Sequence, residues 1–247
     1  MAKKKKTTNF KKYIKWFWIL FSGAFASLLL LFALASWGVF GPLPTFEELE
    51  NPQSNLATEI ISSDGKILGT YAVQNRIPIK FKDLPRNLIE ALVATEDERF
   101  FEHSGIDFRG TARAVVKMGK GGGASTITQQ LAKNLFTKKA SGNTVKRIVQ
   151  KIKEWVVAIK LERQYTKEEI ITMYLNNYDF LNQAVGIRSA SRIYFGKEPK
   201  ELKVEESAML VGMLKNSSLF NPLRRKEKVQ QRRNVVLKQM NRNEFIT

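Results

Sequence analysis

A mainly α-helical domain with one small β-hairpin, carried behind a single transmembrane helix, is the fold class that the sequence predicts. Three observations carry this reading. Residues 16–40 form an apolar run without a charged side chain. One Asp-Gly turn sits between two apolar, strand-like segments. Most of the chain beyond that turn repeats its apolar residues at three- and four-residue intervals, the period of helices buried on one side.

Taken in order, residues 1–15 are a basic tail, with Lys3, Lys4, Lys5, Lys6, Lys11, Lys12 and Lys15 and no acidic residue. A helix over 16–40 reaches roughly 35 Å, enough to cross a hydrocarbon core of about 30 Å. Trp16, Trp18 and Trp37 fall near its two expected interfaces. The positive-inside rule places the tail in the cytoplasm and everything after Gly41 outside. A cleaved signal peptide is the rival reading, since Ala33-Leu34-Ala35 has small-x-small spacing, but the apolar run is longer than the usual h-region. Residues 41–56 read as a juxtamembrane linker, opened by Gly41-Pro42-Leu43-Pro44.

A domain over 57–240 comes next, with 241–247 as the start of a further linker or tail. Its hairpin runs from Glu59-Ile60-Ile61 through Ser63-Asp64-Gly65-Lys66 to Ile67-Leu68-Gly69-Thr70-Tyr71. The S-x-x-K string within that turn has no K-T-G or S-D-N companion, so it reads as a turn and not as a nucleophile. Helices are expected over 84–101, 110–118, 126–136, 145–164, 167–176, 205–215 and 226–240. In the longest, Ile148, Ile152, Trp155, Val156 and Ile159 make one apolar face, and Lys151 and Glu154 fall away from its centre. Thr166-x-x-Glu169 predicts a capping box.

Composition narrows the chemistry. The chain of 247 residues contains no cysteine and one histidine, His103, which removes disulfides, thiolate chemistry and His-rich metal sites. A formal net charge of +18 calls for an anionic partner. Export makes nucleic acid a poor one and leaves a membrane surface or a phosphorylated substrate.

Three places could carry a reaction. Glu96-Asp97-Glu98 follows an apolar stretch and precedes Phe100-Phe101, so it is either a solvated helix end or a partly desolvated carboxylate suited to proton transfer. The glycine-rich segment 119–123 leads into Ala124-Ser125-Thr126-Ile127-Thr128-Gln129-Gln130, which is either a surface loop before a capped helix or an anion grip built from exposed amides. Glu154, with Lys133, Lys146, Arg147, Lys151 and Lys153 in the same region, either pairs structurally or approaches a divalent ion on a diphosphate.

Five strings in order make the pattern more specific. They are 94–105 (ATEDERFFEHSG), 122–134 (GGASTITQQLAKN), 151–154 (KIKE), 167–176 and 232–240. Together they resemble the five motifs of the peptidoglycan glycosyltransferases of family 51, found in monofunctional transglycosylases and in the N-terminal half of class A penicillin-binding proteins. The resemblance implies a lysozyme-like, two-lobed domain that polymerises lipid II into β-1,4-linked glycan strands and releases undecaprenyl diphosphate. By the same resemblance, Glu96 matches the general base. Glu154 matches a second carboxylate near the donor diphosphate, acting directly or through a divalent cation, Mg or Mn; no organic cofactor is implied. Lys133 and Lys151 match cations that offset the leaving group, and Ser125, Thr126, Gln129, Gln130 and Asn134 match the donor-side lining. Asp97 and His103 look like supports of the first motif, Arg232 matches the fifth, and Glu169 and Asn176 match the fourth. The implied partners are lipid II, the growing glycan and the outer face of the bacterial cytoplasmic membrane, with a transpeptidase or other cell-wall machinery beyond them.

Three departures from the family pattern stand out. Gln150 occupies the usual place of an Arg, for which Arg147, one turn earlier, is a candidate substitute. Ala124 is an additional residue, and Leu181 stands where a glycine is common. The rival enzyme class is a lytic transglycosylase or muramidase that cleaves the same glycan; the cations near Glu154 and the anchor favour synthesis. A non-enzymatic organiser would be suggested only if Glu96 or Glu154 were missing.

Overall fold

The computed structural model describes residues 10–41, 43, 58–64, 67–71, 77–116, 123, 125–137 and 142–247. The lysines at 3–6, most of the linker 41–56, the turn residues Gly65 and Lys66, and 119–122 of the glycine-rich loop with Ala124 lie outside them.

Helix α1 spans Phe10–Ser36 and is long and apolar enough to cross a membrane, with a mean hydropathy of 2.3 over its most apolar window. It begins before residue 16 because Lys11, Lys12 and Lys15 favour helix as readily as their apolar neighbours and can reach water along their flexible stems. Strands β1 (Thr58–Ile61) and β2 (Ile67–Tyr71) pair antiparallel, with Thr58 opposite Tyr71 and Glu59 opposite Thr70.

The helical domain then runs α2 (Arg86–Glu96), α3 (Phe108–Val116), α4 (Ile127–Phe136), α5 (Thr144–Gln164), α6 (Lys167–Asn177), α7 (Ile187–Phe195), α8 (Val204–Met213) and α9 (Lys226–Arg242). Helix α4 packs against α5 and α6, while α8 packs against α2 and α9. One core joins them through Leu88, Leu92, Phe100, Ile127, Leu131, Leu161, Ile170, Tyr174 and Phe180, all fully buried.

Several elements differ from the sequence expectation, each for a physical reason. Helix α2 ends at Glu96 instead of continuing to 101, because Asp97 leaves helical geometry (φ −160°, ψ 77°) and a short 3-10 turn comes next at Phe100–Glu102. Helix α7 has no counterpart in the sequence expectation: Gly186 at its N-cap and the buried Ser189 and Ser191 obscure its apolar spacing. Helix α5 is buried on two sides, not one. Ile152 and Val156 pack on Ala35 of α1, where the Phe32 and Trp155 rings lie 5.8 Å apart, while Val157, Ala158 and Leu161 are buried on the domain's side. The predicted capping box of α6 forms: the Thr166 N–H donates to Glu169 Oε2 at 2.8 Å, and Glu169 N–H donates to Thr166 Oγ1 at 3.3 Å.

Asn176 ends α6 with a two-bond clamp on Ile79, accepting from its N–H at 3.0 Å and donating to its carbonyl at 2.9 Å. Beyond it the chain reverses through Leu181, Asn182 and Gln183, all at positive φ (64°, 52° and 64°). Asparagine tolerates that region; leucine pays a steric cost of about 1–2 kcal/mol. Replacing Leu181 with glycine is expected to raise stability by up to about 1 kcal/mol, after the added freedom of glycine in the unfolded chain is deducted. Chemical denaturation of Leu181→Gly checks this, and a lowered midpoint would show that the half-buried leucine contributes more packing than strain.

Candidate active site

The site is built where the C-terminus of α2 meets the N-terminus of α4. Helix α4 starts with exposed amide dipoles that need acceptors. Thr126 supplies one: its Oγ1 accepts from Gln129 N–H at 3.1 Å and donates to the Gly105 carbonyl at 2.7 Å. Asp97 supplies another, with Oδ2 accepting from Ile127 N–H at 3.0 Å while His103 Nε2 lies 3.0 and 3.1 Å from the two carboxylate oxygens. Gln129 Nε2 also donates to the Gly105 carbonyl, at 3.1 Å. Gly105 can sit there only as glycine, since its φ is +88° and a Cβ would stand 3.0 Å from the Ala158 carbonyl.

This junction turns the adjacent Glu96 toward a cleft. Gln130 Nε2 donates to Glu96 Oε2 at 2.9 Å, and Arg232 Nη2 of α9 lies 3.5 Å from Oε1. Both ends of that ion pair are shielded, with side-chain exposures of 12% for Arg232 and 14% for Glu96. Arg232 reaches this position beside Gly212 of α8, where an added Cβ would stand 3.1 Å from its Cγ. Burial pulls the Arg232 guanidinium below its ordinary value, and the Glu96 charge opposes that. Burial pushes the Tyr174 and Tyr178 phenols up, and the Glu96 charge adds to it.

The second carboxylate, Glu154, comes from α5 and is 8% exposed. Lys151, one turn earlier, donates to its Oε2 at 3.2 Å and to Ser125 Oγ at 2.9 Å. A cleft of about 340 Å³ is lined by Glu96, Ser125, Gln129, Gln130, Lys133, Asn134, Lys151, Glu154, Tyr178, Leu214 and Lys215. Both carboxylates and three lysines therefore face one space. An adjoining hollow of about 500 Å³ brings Arg147 and Gln150 beside Lys133, Lys151 and Glu154. A smaller one of about 170 Å³ continues past Glu96 toward Glu98, Arg99, Asp107, Arg113 and Arg242.

Of the residues singled out in the sequence, Glu96, Ser125, Gln130, Lys133, Asn134, Lys151 and Glu154 converge on the central cleft, and Arg147 stands at its cationic side. Thr126 and Gln129 are 1% exposed: Thr126 Oγ1 and Gln129 Nε2 both donate to the Gly105 carbonyl, and Thr126 Oγ1 also caps the helix. Asp97 and His103 lie behind Glu96. Arg232 reaches Glu96 directly, whereas Glu169 and Asn176 serve helix α6 at its two ends. Sequence reasoning passed over Tyr174, Tyr178 and Lys215. The signal for the first two was their i, i+4 spacing at the end of α6, where Tyr178 is the C-cap, with two hydroxyls needing partners if buried.

One carboxylate is too few to hold a metal by protein ligands alone, and among the described residues no group of three His, Cys, Asp or Glu side chains comes together. Glu154 fits a divalent ion only if the remaining oxygen ligands come from a substrate and water.

The transglycosylase family model matches residues 64–241. Penicillin-binding protein 1A of Vibrio cholerae is 39% identical over 209 residues, covering 83% of this chain and 25% of that protein. Penicillin-binding protein 1A of Escherichia coli is 36% identical over 244 residues, covering 96% and 28%. The crystal structure of penicillin-binding protein 1A from Haemophilus influenzae aligns with a TM-score of 0.43 at 26% identity, over 79% of this chain and 19% of that one. This chain thus spans about a quarter of the length of the curated relatives it matches.

Asp97→Ala would leave the Ile127 N–H and His103 without their acceptor inside the fold. A loss of about 2–4 kcal/mol is expected, measurable by denaturant unfolding; a loss under about 1 kcal/mol would mean that the junction holds without it.

Proposed function

The chain belongs to the transglycosylase family, the family 51 glycosyltransferase domain of class A penicillin-binding proteins, and from that premise we propose that it polymerises lipid II into β-1,4-linked glycan on the outer face of the bacterial cytoplasmic membrane. The observation that carries this reading is the one cleft lined together by Glu96, the Lys151–Glu154 pair, Gln130, Lys133 and Asn134. Two separated carboxylates with a cationic bank beside one of them suit transfer from a diphosphate donor.

Glu96 takes the proton from the 4-hydroxyl of the acceptor N-acetylglucosamine as that oxygen attacks C1 of the donor muramyl sugar. The bond between C1 and the diphosphate oxygen breaks, and undecaprenyl diphosphate leaves with inversion at C1. Lys133, Lys151 and Arg147 supply preorganised positive charge where the leaving group gains its negative charge. Arg147 lies in the hollow that Gln150 also lines, which supports its standing in for the family's usual Arg. Glu154 would help to hold a divalent cation, Mg or Mn, which would supply charge neutralisation on the leaving-group side.

Helix α1 serves as the anchor, with the basic tail inside and the domain outside. A fixed cleft near the membrane keeps the sugar end of a lipid-linked substrate within reach while its polyprenyl tail stays in the bilayer. Transpeptidases and other cell-wall machinery are the natural partners for such a product.

Glu96→Gln keeps the side-chain volume and removes the base. Polymerisation of labelled lipid II in detergent should fall by at least about 100-fold in this variant, with the melting temperature little changed. No glycan from the wild type, with cleavage of preformed strands instead, would overturn the reading in favour of a lytic enzyme.

A further inference from the structure

Behind the cleft, a buried side chain sets which end of an amide Glu96 meets. Tyr174 of α6 is fully buried, and its hydroxyl donates to Gln130 Oε1 at 2.9 Å. The other end of the same amide, Nε2, donates to Glu96 Oε2 at 2.9 Å. We infer that Tyr174 is a positioning residue for the glycosyl transfer, holding Gln130 so that its N–H and not its carbonyl faces the general base. This rests on the reading of Glu96 as that base.

The chemistry of each group sets the direction of the relay. An ionised carboxylate only accepts hydrogen bonds, an amide has one accepting and one donating end, and a phenol can do either. With Glu96 ionised, Gln130 must turn Nε2 toward it, which leaves Oε1 facing Tyr174. A buried hydroxyl in that place must donate. Rotating the amide by about 180° sets an oxygen against the carboxylate, an arrangement that only a protonated Glu96 tolerates. Toward the rotated amide the phenol could only accept from Nε2, which leaves its own buried proton without the acceptor it has now; Tyr174 thus penalises the rotated amide although it touches neither substrate nor Glu96.

Among the described residues, nothing else around Glu96 duplicates this restraint. Arg232 approaches the opposite carboxylate oxygen. Tyr178, four residues on, directs its hydroxyl to the Leu214 carbonyl at 2.8 Å and accepts from Ser217 at 3.1 Å. Lys133, Lys151, Glu154 and Lys215 occupy the other walls of the cleft. Asp97, Glu98, Arg99, Asp107, Arg113 and Arg242 line the neighbouring hollow. Removing the Tyr174 hydroxyl leaves all of these charges in place.

The test is the pH dependence of lipid II polymerisation by the full chain in detergent, for wild type, Tyr174→Phe, Gln130→Met and the double variant, with thermal unfolding to confirm that each is folded. Tyr174→Phe should move the acid limb of kcat/KM up by about one pH unit, roughly tenfold in rate below the limb, and the loss should shrink as pH rises. Gln130→Met should move the limb the same way, and Tyr174→Phe should add no further shift in that background. An unmoved limb in a folded Tyr174→Phe, or two shifts that add, would overturn the inference. A wild type that makes no glycan would instead sink the proposed function, so the two failures are distinct.

Discussion

The Asp97 carboxylate seated on the N-terminus of helix α4 is the contact on which the rest of the site depends. It stops α2 one residue earlier, at Glu96, and fastens that stop to the amide of Ile127. A charged acceptor at a helix N-terminus is favoured both by the unmet N–H groups and by the helix dipole. Three residues into α4 stands Gln130, so fixing the first turn brings its amide to Glu96. Just ahead of the same turn stands Ser125, which meets Lys151. One junction therefore registers both halves of the cleft.

The junction is itself held from behind. The Gly105 carbonyl takes hydrogen bonds from Thr126 and Gln129, and Lys167 donates both to the His103 carbonyl at 2.5 Å and to Glu162 at 2.8 Å. Glu162 also accepts from Thr128 Oγ1 at 2.5 Å. The chain segment after α2, the first turn of α4, the end of α5 and the start of α6 are thereby tied through polar atoms that are mostly shielded from water. Such networks place groups with small positional freedom, which catalysis by preorganised charge requires. Their net contribution to stability is smaller than their number suggests, because each charge gave up hydration to enter.

Helix α5 joins the apolar helix α1 to the cleft. Ile152 and Val156 pack on the end of α1, and Lys151 and Glu154 on the same two turns face the cleft. A helix is stiff over this distance, so the position of α1 and the position of the cleft are mechanically linked. The charge of the chain acts at a different level. Its surplus of lysine and arginine suits anionic surfaces, while the role proposed for a few of those cations at the cleft is to offset the charge of a diphosphate.

The apolar run of α1, the hairpin signal, the capping box at Thr166 and the general placement of the helices were legible in the sequence, because each depends on neighbours a few residues apart. Local pattern also marked Glu96 and Glu154 as candidate carboxylates, and the motif resemblance implied the roles proposed for them. Only the tertiary structure decided that Thr126 and Gln129 turn inward to Gly105, that Arg232 closes on Glu96 past Gly212, and that α5 is buried on two sides. It also decided that Leu181 adopts a conformation suited to glycine and that Tyr174 stands behind Gln130. The physical reason is separation along the chain. Glu96 meets groups 34 and 136 positions away, and such contacts arise from the packing of whole helices, which short-range periodicity does not encode.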